Sequence, residues 1–147
     1  MSAVRQGGFL IAKIHQLSGR IFARILKRNN IDQINPSQGR ILFVLWNNDE
    51  ISFNELAKKT SLGKSTLTSM LDRLEAKGHL TRIPSREDRR TILIKRTEKD
   101  KSLQKIYEQA SNEMTNIFYK GFKSKDIDAF EKYLNRIMNN LNNYDQK

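Results

Sequence analysis

Apolar residues recur along this chain at two spacings, and the change from one to the other divides it. Between Phe9 and Arg28, Leu10, Ile14, Leu17, Ile21 and Ile25 lie three or four residues apart. That spacing makes one stripe of an amphipathic helix. Arg20, Arg24, Lys27 and Arg28 fall mostly off the stripe, and the run NNIDQIN then breaks the period. Asn35-Pro36 predicts a helix start, with Asn as N-cap and Pro at the first helical position, where no N–H is needed. The helix from Pro36 to about Trp46 contains ILFVLW and is apolar nearly all round, so it is expected to be the most buried of its lobe. Ser52-Phe53-Asn54-Glu55 fits a capping box. The short helix it opens turns Leu56 and Ala57 inward and places Lys58 and Lys59 late, where cations suit the helix dipole. Thr60-Ser61-Leu62-Gly63 reads as a turn. The next helix, Lys64 to Lys77, has a buried stripe of Leu67, Met70, Leu71 and Leu74 and stops at Gly78, a natural C′ residue.

After Gly78 the period shortens to two. Strands are predicted at about 80–84 and 91–96, with Ile92 and Ile94 on a half-buried face. Pro84 cannot donate to a ladder and belongs near an edge or strand end. The segment between the strands, Ser85 to Arg90, is too polar for a core. Thr97 is the expected N-cap of a long helix with stripe Leu103, Ile106 or Tyr107, Ala110, Met114, and Ile117 or Phe118. Gly121–Lys123 ends it. Ser124 is expected to cap a final helix bearing Ile127, Phe130, Leu134, Ile137 and Leu141. These near-heptad C-terminal stripes ask for helical partners. The resulting fold class is mainly α with a small β-hairpin wing. Two short helices joined by a tight turn, followed by a hairpin, form a winged helix-turn-helix lobe over residues 36–96.

Composition adds a partner to this picture. The chain has 147 residues, enough for a single domain with a real core, and carries 27 Lys plus Arg against 16 acidic residues, a formal net charge of +11. Such a balance points to a polyanion, most simply double-stranded DNA. The helix 64–77 fits that partner. Opposite its apolar stripe it shows Lys64, Ser65, Thr66, Thr68, Ser69 and Arg73. Short hydroxyl side chains let a helix approach the major groove closely and bond phosphates or base edges, while Arg73 is long enough to reach a guanine edge or a phosphate. Taken alone, the same pattern also describes an ordinary solvated face. At the hairpin tip Arg86, Arg89 and Arg90 suit a narrow, strongly negative minor groove. Glu87 and Asp88 between them look misplaced until a carboxylate is seen as a fork that orients a neighbouring guanidinium. A solvated turn of mixed charge is the competing reading of the tip.

These residues carry a family resemblance. Leu74, the Lys77-Gly78 stop, Arg82, Asp88-Arg89-Arg90, Asn54-Glu55-Leu56-Ala57 and Lys64-Ser65-Thr66-Leu67-Thr68 together resemble the MarR family of bacterial winged-helix regulators. The element order matches over almost the whole chain. His79 stands where the family more often has an apolar residue. The resemblance implies a single MarR-like domain over 1–147 that forms a homodimer, with a helical dimerisation region built from 1–30 and 97–147. Leu10, Ile14, Phe118, Phe130, Leu134, Ile137 and Leu141 are the expected interface residues. It also implies that the two winged lobes sit on successive major grooves, that Arg90 enters the minor groove with Asp88 orienting it, and that Lys64 lies near the phosphates. The family often binds small aromatic anions between its two regions. Phe22, Phe43, Trp46, Tyr107 and Phe118 are aromatic positions able to line such a crevice, although plain core packing explains aromatic residues at helical spacing equally simply. An aromatic or anionic effector is therefore expected by resemblance only.

Other classes of function find little support. The absence of cysteine excludes disulfides, thiol catalysis and thiol peroxide sensing. His15 and His79 are far apart, so a metal site would have to be assembled largely from carboxylates, and none is expected. No cofactor is expected either. Gly63-Lys64-Ser65 echoes the end of a phosphate-binding loop, but the position its first glycine would need is Lys58, so the motif fails. No nucleophile elbow or paired-carboxylate set surrounds the serines and acids, and an enzyme is the least expected class. With no spanning apolar run and no signal-type leader, the expectation is a cytoplasmic protein that does not engage the membrane. Two rivals to a specific regulator stay open: a sequence-indifferent protein that coats DNA, and a helical protein-interaction module whose basic face is incidental.

Overall fold

The computed structural model describes residues 4–31 and 34–146. Its elements run α1 (Gly7–Arg28), α2 (Pro36–Asn47), β1 (Ile51–Ser52), α3 (Phe53–Thr60), α4 (Lys64–Ala76), β2 (Leu80–Pro84), β3 (Ile92–Arg96), α5 (Glu98–Phe118) and α6 (Ser124–Asp145). The predicted helices and both wing strands are present, with ends shifted by a residue or two. The segment Asp32–Gln33 of the expected break lies outside the described residues. The chain divides into two compact units, Met1–Met114 and Thr115–Lys147.

Local chemistry sets the helix ends. The Asn35 carboxamide accepts from the Gln38 N–H at 2.7 Å, and the Gln38 side chain accepts from the Asn35 N–H at 3.2 Å, a reciprocal box that starts α2. Ser52 caps α3 through the Glu55 N–H at 3.2 Å. Ser61 closes α3 in the left-handed region, φ 58°, and Gly78 does the same after α4 at φ 83°, where a side chain would strain the backbone. Thr97 accepts from the Asp100 N–H at 3.3 Å and donates to the Gly78 carbonyl at 2.6 Å, tying the start of α5 to the end of α4. One expectation is corrected: the N-cap of α6 is Lys123, and Ser124 is already helical.

The strands form a three-stranded antiparallel sheet in the order β1-β3-β2. β1 was not legible because it is two residues long and its second residue doubles as the cap of α3. Ile51 pairs with Ile94, and Ile94 with Arg82 on the other side, so β3 is the central strand.

The core of the first unit gathers Ile41, Leu42 and Leu45 of α2, Leu56 of α3, Leu67, Leu71 and Leu74 of α4, and Leu80 and Ile94 of the sheet. Ile25 and Leu26 of α1 and Leu103, Tyr107 and Ala110 of α5 complete it. α2 and α5 approach closely at Gly39, where a Cβ would lie only 2.7 Å from Tyr107 Cζ. In the second unit no residue of α6 is buried. Tyr119 there stacks edge-on with Phe118, Phe122 and Phe130 and donates to Glu131 at 2.9 Å.

Candidate nucleic-acid interface

α4 presents two unlike sides. Leu67, Leu71 and Leu74 are fully buried, whereas Lys64, Ser65, Thr66, Thr68, Ser69 and Arg73 are all exposed. The structure thus brings every residue expected on the groove-facing side to one open surface. The Thr68 hydroxyl donates to the Lys64 carbonyl at 2.8 Å, which leaves its oxygen as an acceptor toward a partner. Gly63 precedes the helix in an extended conformation and offers no side-chain cap, so the first amides of α4 are left to external acceptors.

The wing tip is ordered by its own side chains. Ser85 Oγ accepts from the N–H groups of Glu87 and Asp88, at 3.2 and 3.4 Å. The Ser85 N–H donates to Thr91 O at 2.8 Å, and the Thr91 N–H to Asp88 O at 2.9 Å. Asp88 Oδ1 accepts both the backbone N–H of Arg90, at 3.1 Å, and its Nε, at 3.3 Å. Arg90 is 92% exposed, so the carboxylate directs its side chain without covering it. Arg86 and Arg89 are exposed as well. Arg90 also borders a small depression of about 170 Å³ shared with Phe53 and Asn54 at the start of α3. Asn54, read in sequence as part of the α3 start and as a family mark, lines this depression beside the wing and is a further polar group there.

Arg82 is a family mark in the sequence, but its partners, which hold helix and wing together, were not legible there. Arg82 on β2 meets Asp72 and Glu75 of α4, each at 2.7 Å through Nη2, and Glu75 Oε2 accepts the Arg82 backbone N–H at 3.0 Å. The side-chain hydrogen bond from Arg82 is the main cause that lowers the Glu75 pKa, against partial burial that raises it. The same pair raises that of Arg82. Asp72 and Glu75 sit off the buried stripe at helical spacing, and an arginine in the next strand was the available signal.

A second network anchors the far end of the wing. Asp100 is 0% exposed; it accepts from Arg96 Nε at 2.7 Å and from the Trp46 indole N–H at 3.0 Å. Asp49 Oδ1 accepts the Arg96 backbone N–H at 3.0 Å. His79, at the base of the wing, is 1% exposed and neither ring nitrogen has a hydrogen-bond partner among the described residues. Burial pushes its pKa down, helped by the charges of Lys99 and Lys77 and opposed by Asp100. His15 is exposed on α1. Among the described residues no group of three His, Asp or Glu side chains is placed to hold a metal ion, and no helix is long and apolar enough to cross a membrane.

The aromatic positions separate. Phe43, Trp46 and Tyr107 line one cleft of about 360 Å³ between α2 and α5. Phe22 packs behind it, 5.6 Å from the Tyr107 ring. Phe118 belongs to the aromatic group around Tyr119 and does not line this cleft. The expected interface residues Leu10, Ile14, Phe118, Ile137 and Leu141 are exposed in the protomer, and Phe130 and Leu134 are half-buried.

Comparison with known proteins supplies the context. Residues 34–92 match the model of the MarR family. FarR, an HTH-type transcriptional regulator of Neisseria gonorrhoeae, is 30% identical over 115 residues, 78% of this chain and 68% of FarR. TtmR of Methylorubrum extorquens is 34% identical over 85 residues, 58% of this chain and 42% of TtmR. The organic hydroperoxide resistance regulator of Bacillus subtilis is 36% identical over 70 residues, 46% of this chain and 48% of that protein. The chain thus spans less than half the length of these last two relatives. Among solved structures, BpsR of Bordetella bronchiseptica superposes with a TM-score of 0.82 at 20% identity, over 94% of this chain and 96% of BpsR. BldR of Sulfolobus solfataricus gives 0.80 at 24%, over 92% and 94%. These two likenesses show the fold.

Proposed function

The chain belongs to the MarR family of transcriptional regulators, and from that premise we propose that it is a dimeric, sequence-specific repressor that occupies a pseudo-palindromic operator. The observation that carries this reading is the pairing of two exposed basic surfaces on one braced frame. α4 offers hydroxyls and cations at a spacing suited to the major groove, and the wing offers an arginine already aimed by Asp88. In the complex, Ser65, Thr66, Thr68, Ser69 and Arg73 face base edges and phosphates, and Lys64 lies near the phosphates. Arg90 enters the minor groove, with Arg86 and Arg89 beside it. A tip ordered before binding loses little entropy on docking.

The helical segments 1–30 and 97–147 supply the dimer interface in this reading. Two lobes related by a two-fold axis require half-sites about one helical turn, roughly 34–36 Å, apart. A small molecule relieves repression by favouring a lobe spacing that does not fit the operator, which requires different affinity for the two states. BpsR supports that part by analogy, since its DNA binding is regulated by 6-hydroxynicotinic acid. With no cysteine in the chain, a thiol cannot carry the signal.

Arg90→Ala tests the wing assignment. Operator affinity is expected to fall by about fivefold to a hundredfold, a cost of about 1–3 kcal/mol, while the dimer survives. Unchanged affinity in a mobility-shift titration contradicts the assignment.

A further inference from the structure

We propose that Arg96 and Asp100 are positioning residues for DNA recognition: their buried ion pair sets the tilt of the wing on the helical frame, and with it the place where the tip meets the duplex. The inference rests on the reading of α4 and the wing as the DNA-binding surface, and adds to it residues that touch no DNA.

Arg96 is the last residue of β3, the central strand, and pairs with Leu80 at the base of the hairpin. Two neighbouring elements hold it. Its Nε donates to Asp100 Oδ2 at 2.7 Å in the first turn of α5, and its Nη2 donates to the Gln104 side-chain oxygen one turn further on. Its backbone N–H donates to Asp49 Oδ1 at 3.0 Å in the turn after α2. Asp100 also accepts the Trp46 indole N–H from α2, at 3.0 and 3.2 Å through its two oxygens. A guanidinium is a planar fork, so bonds from both Nε and Nη2 fix direction as well as distance. The Arg82 brace ties the wing to α4, whereas this clamp ties it to α2 and α5.

The burial of the pair shows what it is suited to do. Asp100 is 0% exposed and the Arg96 side chain 11%. Taking both charges out of water costs about as much as their attraction returns, and apolar residues of similar volume often serve stability equally well. Stability alone therefore does not call for an ion pair here, whereas a fixed direction does. Leverage makes direction matter. Among the described residues β3 pairs with β1 only at Leu93 and Ile94, so the tip projects beyond that support. Strands rise about 3.3 Å per residue, which places Arg90 up to about 20 Å from Arg96. A tilt of about 10° at the base then moves the tip by about 3 Å, half the roughly 6 Å width of a minor groove.

Operator titrations and thermal melts test this, with the duplex that the native chain selects from a random pool as the probe. Trp46→Phe with Arg96→Met and Asp100→Leu removes both charges together and strands no indole donor. The melting temperature of this triple variant is expected to stay within about 5 °C of the native value. Its operator affinity is expected to fall by about fivefold or more. On an Arg90→Ala background the same three changes should cost less than about a further twofold, since a tip without that arginine has little left to misplace. Arg96→Lys, which keeps the charge and loses the fork, should weaken binding in the same direction. A merely structural role would move the melting temperature and show no such coupling to Arg90. Native affinity in either variant, a loss undiminished on the Arg90→Ala background, or a triple variant that melts lower than that range overturns the proposal. If the native chain selects no duplex, the regulator reading falls and this inference with it. If it selects one and the variants bind it equally well, only the positioning role falls.

Discussion

His79 shows how one residue can work against the surface that surrounds it. A buried imidazole with unpartnered nitrogens is tolerated only while neutral. Its folded pKa lies below the ordinary value of about 6.5, because burial and the neighbouring lysines disfavour the charged form. The unfolded chain therefore takes up a proton first as pH falls. Stability is full above about pH 6.5 and declines as pH drops below it, until the folded pKa is reached. Urea denaturation at pH 8 and pH 5.5 should show this loss in the native chain, and His79→Leu should be the less pH-dependent of the two. The replacement should also gain about 1 kcal/mol at pH 8 by removing the unsatisfied ring. Equal pH dependence in the two proteins would place the proton elsewhere. The sequence marks His79 as unusual, standing where the family more often has an apolar residue, but a lone histidine carries no signal of burial. Arg90 is the opposite case. Its proposed role comes from the family resemblance that residues 88–90 help to carry, and the structure adds that Asp88 grips both its backbone and its side chain.

At the scale of elements, the brace from Arg82 to Asp72 and Glu75 decides how well α4 and the wing keep their mutual angle. Glu75 is about one-third exposed, so its contribution is that of a partly screened ion pair, about 1 kcal/mol. Its folded pKa is depressed. The pair therefore stabilises above the unfolded carboxylate value of about 4.3 and is lost as pH falls through the lower folded value. Glu75→Gln should cost about that 1 kcal/mol at pH 7, flatten the acid limb of the stability curve and weaken operator binding without touching DNA itself. Thermal melts from pH 7 to pH 3 check the first two, and a destabilisation that persists unchanged at pH 3 would contradict the ionic account. Helices and wing strands were legible because their apolar spacing agrees with the turn at 60–63 and the stop at Gly78. The two-residue β1 was not, since a pattern of period two needs more residues than it has. Nor were the ion pairs: Arg82 and Glu75 are seven apart, and only the turn at Gly78 brings them together.

For the whole molecule, the exposed apolar side chains on α1 and α6 are the fact to be accounted for. Leu10, Ile14, Ile137 and Leu141 each keep more than two-fifths of their surface open in the protomer. In the proposed dimer a second copy covers them, the arrangement that near-heptad stripes call for. Ile137→Asp with Leu141→Asp places carboxylates where the protomer leaves the side chains exposed and a dimer would bury them. Sedimentation should then report folded monomers with operator affinity reduced by orders of magnitude, because each lobe would bind alone. A stable dimer after this change would move the interface elsewhere. Here the sequence was most informative about architecture and least about ligands. The stripe pattern pointed to helical partners, whereas Phe118, grouped by spacing with the cleft aromatics, packs with Tyr119 instead.

The central claim is specific recognition of DNA by α4 and the wing. Selection of bound duplexes from a random pool at physiological salt tests it most directly. The account predicts one recovered inverted repeat, its half-sites about one helical turn apart. Recovery of unrelated sequences, or of no duplex at all from the unliganded protein, would contradict it.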